Sequence, residues 1–256
     1  VPTIAECATQ LFERAEAGGR RALQAMAVLA TPATSGALAV LGCTNPARDL
    51  DAAAATGLVA RTDDGGGVMH PLVRELVAAS IPLEVRRALH DLALAWHTAH
   101  GGSVEERAEH GSSGSDGFAA LLLLERAGAL ALRRGDVEQA ARWFRRALER
   151  AREELALSGD DTFEAGVLTF SRKLAGVLVV GDRLREAEGL VAEAEGQLAP
   201  RSVERTRLAL VRARIAARQG RRDAIGLFEE VLGSDLARHD ASLSLDVARD
   251  LADARL

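Results

Sequence analysis

The sequence predicts an all-α, mainly helical protein carrying one small β-hairpin, and three observations support this. First, the 256 residues include 50 alanines, no tyrosine and only 3% aromatics, with leucine, arginine and glutamate abundant. Such side chains lose little freedom in a helix, and a typical β-sandwich or aromatic-lined pocket needs more rings. Second, apolar residues recur at helical spacing through most of the chain, between Gly, Pro, Ser and Asp punctuation. Third, a Gly-then-Ala-then-large-apolar marker recurs three times in the second half, as paired helices require.

Taken in order, Glu6 to Ala17 forms a short helix broken at Gly18-Gly19. Arg20 to Ala30 follows, with Leu23, Met26, Ala27 and Ala30 on one face, and Thr31-Pro32 ends it. Thr34 caps a short helix through Leu41. Thr44-Asn45-Pro46 opens another helix, the third after Gly18-Gly19, with Pro46 in its first turn, that stops at Gly57. There the period changes. Leu58 to Arg61 reads as a strand, Asp63 to Gly67 as a turn, and Val68 to His70 as the returning strand. Leu72 to Ser80 resumes helix, Leu83 to His100 is a longer amphipathic helix, and Val104 to His110 a short acidic one. Gly111 to Gly117 reads as a flexible link.

Helix pairs repeat from Phe118 onward. Gly135-Asp136 precedes Ala140, Phe144 and Ala147; Gly181-Asp182 precedes Ala187, Val191 and Ala194; Gly220-Arg221 precedes Ala224, Phe228 and Val231. A glycine permits the tight turn, a small alanine permits close approach, and the large residue fills the gap beside it. This resembles the tetratricopeptide repeat, whose small eighth residue is matched by Gly128. Leu124 and Ala131 stand at that family's early Trp and Tyr positions, and the marker alanines are 47 and 37 residues apart rather than 34. Ala241 to Leu256 would be the first helix of a fourth copy.

Three short helices and one hairpin are the layout of a winged helix. The stretch Val68-Met69-His70-Pro71-Leu72-Val73-Arg74-Glu75-Leu76, with Ser80-Ile81-Pro82 behind it, is similar to a segment of signal-transduction (STAND-type) ATPases. These include bacterial regulators related to the maltose activator and, more distantly, immune receptors, whose winged helix closes on a methionine-histidine-aspartate motif. Pro71 stands here where the receptors have the aspartate. The resemblance implies that His70 contacts an ADP phosphate held by a neighbouring ATPase domain; the competing reading is that His70 only ends a strand and packs.

Other features narrow the chemistry. Net charge is −5, so no global basic field attracts nucleic acid or an acidic membrane. Cys7 and Cys43 lack metal-ligand spacing and point to a reducing, cytoplasmic setting. No apolar run reaches the roughly 18–20 residues that span a bilayer. Val1 in place of an initiating Met suggests a piece of a longer protein. Lys173, the one lysine, is not in a phosphate-binding loop, and no nucleophile elbow or zinc motif appears, so no catalytic residue is expected. His90, His97 and His100 share one helix, where a partly buried polar face is favoured over a metal site. Arg142, Arg145, Arg146, Arg150 and Arg152 alternate with glutamates and read as an ion-paired face, while Trp96 and Trp143 read as packing residues. The third helix offers Arg48 against Asp49 and Asp51, and the wing tip carries Asp63 and Asp64, a poor match to duplex DNA.

The expected organisation is a linker helix over 1–18, a winged helix over 19–81, a helical spacer over 82–117 and TPR-like repeats over 118–256. The expected function is a non-catalytic sensor and scaffold, with ATP or ADP bound only in a full-length protein. The repeats would bind a protein partner or a small inducer, and the winged helix a neighbouring ATPase domain. The alternatives are a freestanding repeat adaptor and a DNA-binding regulator.

Overall fold

The computed structural model describes residues 3–29, 32–197 and 203–255. Among them lie fifteen helices and one antiparallel pair of strands, so the chain is mainly α with one small β-hairpin. It divides into two compact units, one up to Leu123 and one from Leu124 onward.

The first unit opens with α1 (Ile4–Arg14). A capping box starts it, Thr3 accepting from the Glu6 N–H while Glu6 accepts from the Thr3 N–H at 2.7 Å. The chain does not break at Gly18-Gly19, as the sequence suggested. It turns at Ala15 and Glu16, and both glycines lie in the first turn of α2 (Ala17–Leu29). Their role is close packing: a Cβ on Gly18 would overlap Asp49, and one on Gly19 would come 3.0 Å from the Ala52 backbone. Helix α2 can therefore press directly against α4 (Pro46–Ala55). The expected end of α2 at Ala30 and Thr31 lies outside the described residues.

Thr34 caps α3 (Ser35–Val40), and Asn45 caps α4 with Pro46 in its first turn. Strand β1 (Val59–Arg61) pairs antiparallel with β2 (Gly67–Met69) in the register Val59 to Met69. The returning strand begins one residue earlier than expected, because Gly67 exchanges backbone hydrogen bonds of 2.9 and 3.0 Å with Ala33. A one-residue bridge thereby extends the hairpin edge. Helix α5 (Pro71–Ser80) packs on α1 and α2. Helices α6 (Leu83–Ala99) and α7 (Val104–Ser113) fold back on each other through a four-residue connection.

One core joins these elements, built on Leu23, Met26, Leu38, Leu50, Val77 and Leu89. Ala8 and Phe12 place α1 inside that core rather than beside it. The Gly111–Gly117 stretch is not a free link. Helix α7 runs on to Ser113, and the Ser115 N–H and hydroxyl both donate to Asp91, at 3.0 and 2.6 Å. Composition suggests flexibility, but the Asp91 hydrogen bonds and the packing of Gly111 against Leu123 fix the backbone.

Helix α8 (Gly117–Arg133) leads into the second unit. Then come α9 (Val137–Ser158), α10 (Asp161–Val180), α11 (Leu184–Gln197), α12 (Val203–Arg218) and α13 (Ala224–Leu232). A short α14 (Asp235–His239) precedes α15 (Ala241–Ala254), which packs on α12 and α13. All nine repeat-marker side chains are buried, from Ala140 to Val231. Their spacing keeps a small and a large residue on one face of each second helix.

The turns are less uniform than the markers imply. Gly135 and Gly220 adopt the left-handed conformation, with φ of 76° and 66°. In the second copy Gly181 has φ −81°, and Asp182 takes the left-handed position at φ 59°. Aspartate tolerates that region better than most side chains, so the turn closes one residue later. Ion pairs then link successive copies: Arg145 to Glu186 and Arg152 to Glu193 join α9 to α11, and Arg172 to Glu204 joins α10 to α12. Among the described residues no helix is long and apolar enough to cross a membrane.

Candidate functional site

His70 is the N-cap of α5, between the end of β2 and Pro71. Its Nδ1 accepts the Leu72 N–H at 3.3 Å, which replaces the Ser, Thr, Asp or Asn more usual at that position. An accepting Nδ1 places the neutral ring's proton on Nε2, leaving a donor at the exposed edge. The side chain is exposed, so it contributes capping rather than core packing. Beside it Leu72 is 54% exposed, and a shallow cleft of about 330 Å³ runs along Ala5, Leu72, Glu75 and Leu76. A polar donor and an apolar strip therefore share one edge.

The neighbouring hairpin and α4 carry little positive charge toward solvent. Asp64 accepts from the Thr62 hydroxyl at 2.5 Å and from the Gly66 N–H at 3.2 Å. The Thr62 hydroxyl above all, helped by that N–H, holds its carboxyl below the usual range, so the tip stays anionic. Asp49 is buried against α2, and Arg61 is engaged by Asp51 at 3.3 Å. Cys43 is buried, and desolvation, reinforced by Asp49, pushes its thiol up to about 11. Such a thiol stays protonated and unreactive at neutral pH. Cys7 is exposed, and both cysteines are free thiols.

The histidines of α6 separate. His100 stacks on Trp96 with ring centroids 3.5 Å apart, whereas His90 and His97 turn toward His110 of α7. The third ring beside His90 and His97 is therefore His110 of α7 and not His100. The signal was available, because a hairpin turning at Gly101-Gly102 sets residue 110 opposite Ala93, midway between His90 and His97. His110 sits between the other two rings, and among the described residues no three His, Cys, Asp or Glu side chains are placed to hold a metal ion.

On the repeats, Arg145 and Arg152 pair with Glu186 and Glu193 on a solvated face, whereas Arg150, paired with Glu154 at 2.7 Å, is buried rather than solvated. Trp143 is buried beneath Arg146, whose guanidinium lies 5.2 Å from the ring centroid, and Trp96 packs against the first core. A cleft of about 830 Å³ is lined by Arg205, Arg212, Glu195, Glu230, Asp235 and His239. A second, of about 610 Å³, lies along α10, α12 and α15, with Val180, Phe228, Arg218 and Asp253 on its walls. Neither carries a single sign of charge. No family model, no curated protein and no solved structure matches this chain.

Proposed function

We propose that this chain is the non-catalytic sensor and scaffold part of a STAND-type signalling ATPase in the cytoplasm. In this reading a winged helix, α2 to the β1–β2 hairpin, couples the nucleotide state of an adjoining ATPase domain to a TPR-like array. That array binds a protein partner or a small inducer. The observation that supports it is the exposed His70, held by its own Nδ1 so that Nε2–H faces outward beside Leu72. Such a donor suits a phosphate oxygen, and the apolar strip suits a domain surface. The mixed-charge clefts of the repeats suit a ligand recognised by shape and several polar contacts, without a readable code.

The test is to purify the protein encoded by the whole gene and to extract and quantify any bound nucleotide. Tightly held ADP, near one per chain, agrees with the proposal. A nucleotide-free protein without an ATPase domain leaves the freestanding repeat adaptor as the better account.

Duplex DNA binding is disfavoured by the same surfaces. With Asp51 taking Arg61 and Asp64 fixed at the wing tip, little is left to neutralise phosphates. The chain should show no appreciable shift of duplex DNA at physiological salt. A salt-dependent, sequence-preferring complex weakened by Arg48→Ala would establish the regulator reading instead.

A further inference from the structure

Three imidazoles meet where α7 folds back on α6. His110 Nδ1 lies 3.1 Å from His90 Nδ1, and the His110 ring stacks on that of His97 with centroids 5.0 Å apart and planes 18° apart. His97 and His110 are both buried, and His97 Nε2 has no hydrogen-bond partner. The surrounding backbone is closely fitted. A Cβ on Gly102 would come 2.7 Å from the His97 ring, and one on Gly111 would overlap Leu123.

This arrangement suits neutral rings. Two nitrogens 3.1 Å apart share one proton, one donating and the other accepting. Protonating both rings would set N–H against N–H and bring two positive rings into contact, with the His97 ring stacked behind. Burial also withholds the water that would stabilise those charges. The opposing carboxylates are few. Glu106 lies 3.8 Å from His97 Nδ1, but it already accepts the Ser103 N–H at 2.7 Å as the cap of α7. Glu109, also on α7, acts on His110 as well, and Asp91 of α6 is held by Ser115. No charged group of α2, α3 or α8 is among those acting on His110.

We propose that the α6–α7 hairpin is an acid-sensitive latch: the packed imidazoles of His90, His97 and His110 hold α7 on α6, and protonation of His110 releases it.

The direction follows from His110. Burial first, then His90 and His97, lower its pKa from 6.5 to about 4, against smaller opposite effects of Glu109 and Glu106. The folded state therefore binds the proton less readily than the unfolded chain. The stabilisation is complete above the unfolded value near 6.5, declines as pH falls toward 4, and changes no further below that. Hydrogen bonds from Ser103 hold the Glu106 carboxyl below its ordinary range, so the cap of α7 persists through most of that window.

Hydrogen exchange of the whole chain at pH 7.5 and pH 5.0, corrected for intrinsic rates, tests the latch. Amides of α7 should lose protection on the order of tenfold at pH 5.0, while those of α9 keep theirs. In His110→Gln the acid-dependent loss should disappear, and in His90→Gln it should shrink. Unchanged α7 protection in the native chain, or the same loss in both variants, overturns the proposal. If a variant does not fold, NMR titration of the native imidazoles decides. A His110 midpoint below about 5 supports the latch, and one near 6.5 refutes it.

Discussion

Phe228→Ala should destabilise the second unit by about 3–5 kcal/mol, the usual range for a buried Phe truncated to Ala. Phe228 is 1% exposed and lies on α13, in a core with Leu210, Ala213, Val231, Val247 and Leu251. Among the described residues this core is built from α12, α13 and α15, and the ring supplies much of its volume. Its neighbours come from three separate helices with fixed crossings, which limits how far they can collapse into the cavity. Urea unfolding followed through Trp143 would read the change, since that residue is buried in the same unit. A loss below about 1 kcal/mol would mean that α15 does not cover α13 as described.

Gly128→Leu should cost about 3 kcal/mol or more by overpacking, at the upper end for added core volume. A Cβ at this position would already stand 2.5 Å from Phe144 Cε1 and 2.8 Å from Cζ. The Phe144 ring of α9 lies across Gly128 of α8, so the two helices would have to separate to admit a larger side chain. The claim has a second arm. Combining Gly128→Leu with Phe144→Ala should recover part of the loss, with a coupling of about 1–3 kcal/mol. Additive effects would show that the ring and the glycine are not in contact.

Helix ends and repeat markers were legible because they rest on local chemistry. Thr34 and Asn45 cap α3 and α4 where their side chains predict. Ala140, Phe144 and Ala147 are buried because three- and four-residue spacing puts them on one face. What escaped the sequence was set by contacts between distant segments. Gly18-Gly19 reads as a breaker, yet α4 arriving from thirty residues away makes it a packing surface. The Gly- and Ser-rich stretch after His110 reads as a linker, yet Asp91 holds Ser115. The Gly181-Asp182 turn differs from its siblings by one residue because two φ angles, not a marker, decide which position is left-handed.

For the candidate site, His70 was reached through its motif, but its state was not. Exposure and the Nδ1 bond to Leu72 depend on where β2 ends and α5 begins, a boundary the sequence placed one residue late. The histidine cluster was half legible. The seven-residue spacing of His90 and His97 gives one face of α6, while the third ring depends on the register of α7 against it.

The most direct measurement of the central claim is ADP affinity in the protein encoded by the whole gene, with and without His70→Ala. A hydrogen bond from imidazole to phosphate contributes on the order of 1–3 kcal/mol, which corresponds to roughly five- to 150-fold in affinity. As an N-cap, His70 should cost the isolated chain only about 1 kcal/mol when replaced by alanine. The account predicts ADP binding weaker by at least about fivefold and raised basal signalling, with the thermal midpoint of this chain nearly unchanged. Unaltered ADP affinity, alongside a chain that loses several kcal/mol of stability, would contradict it and return His70 to a purely structural role.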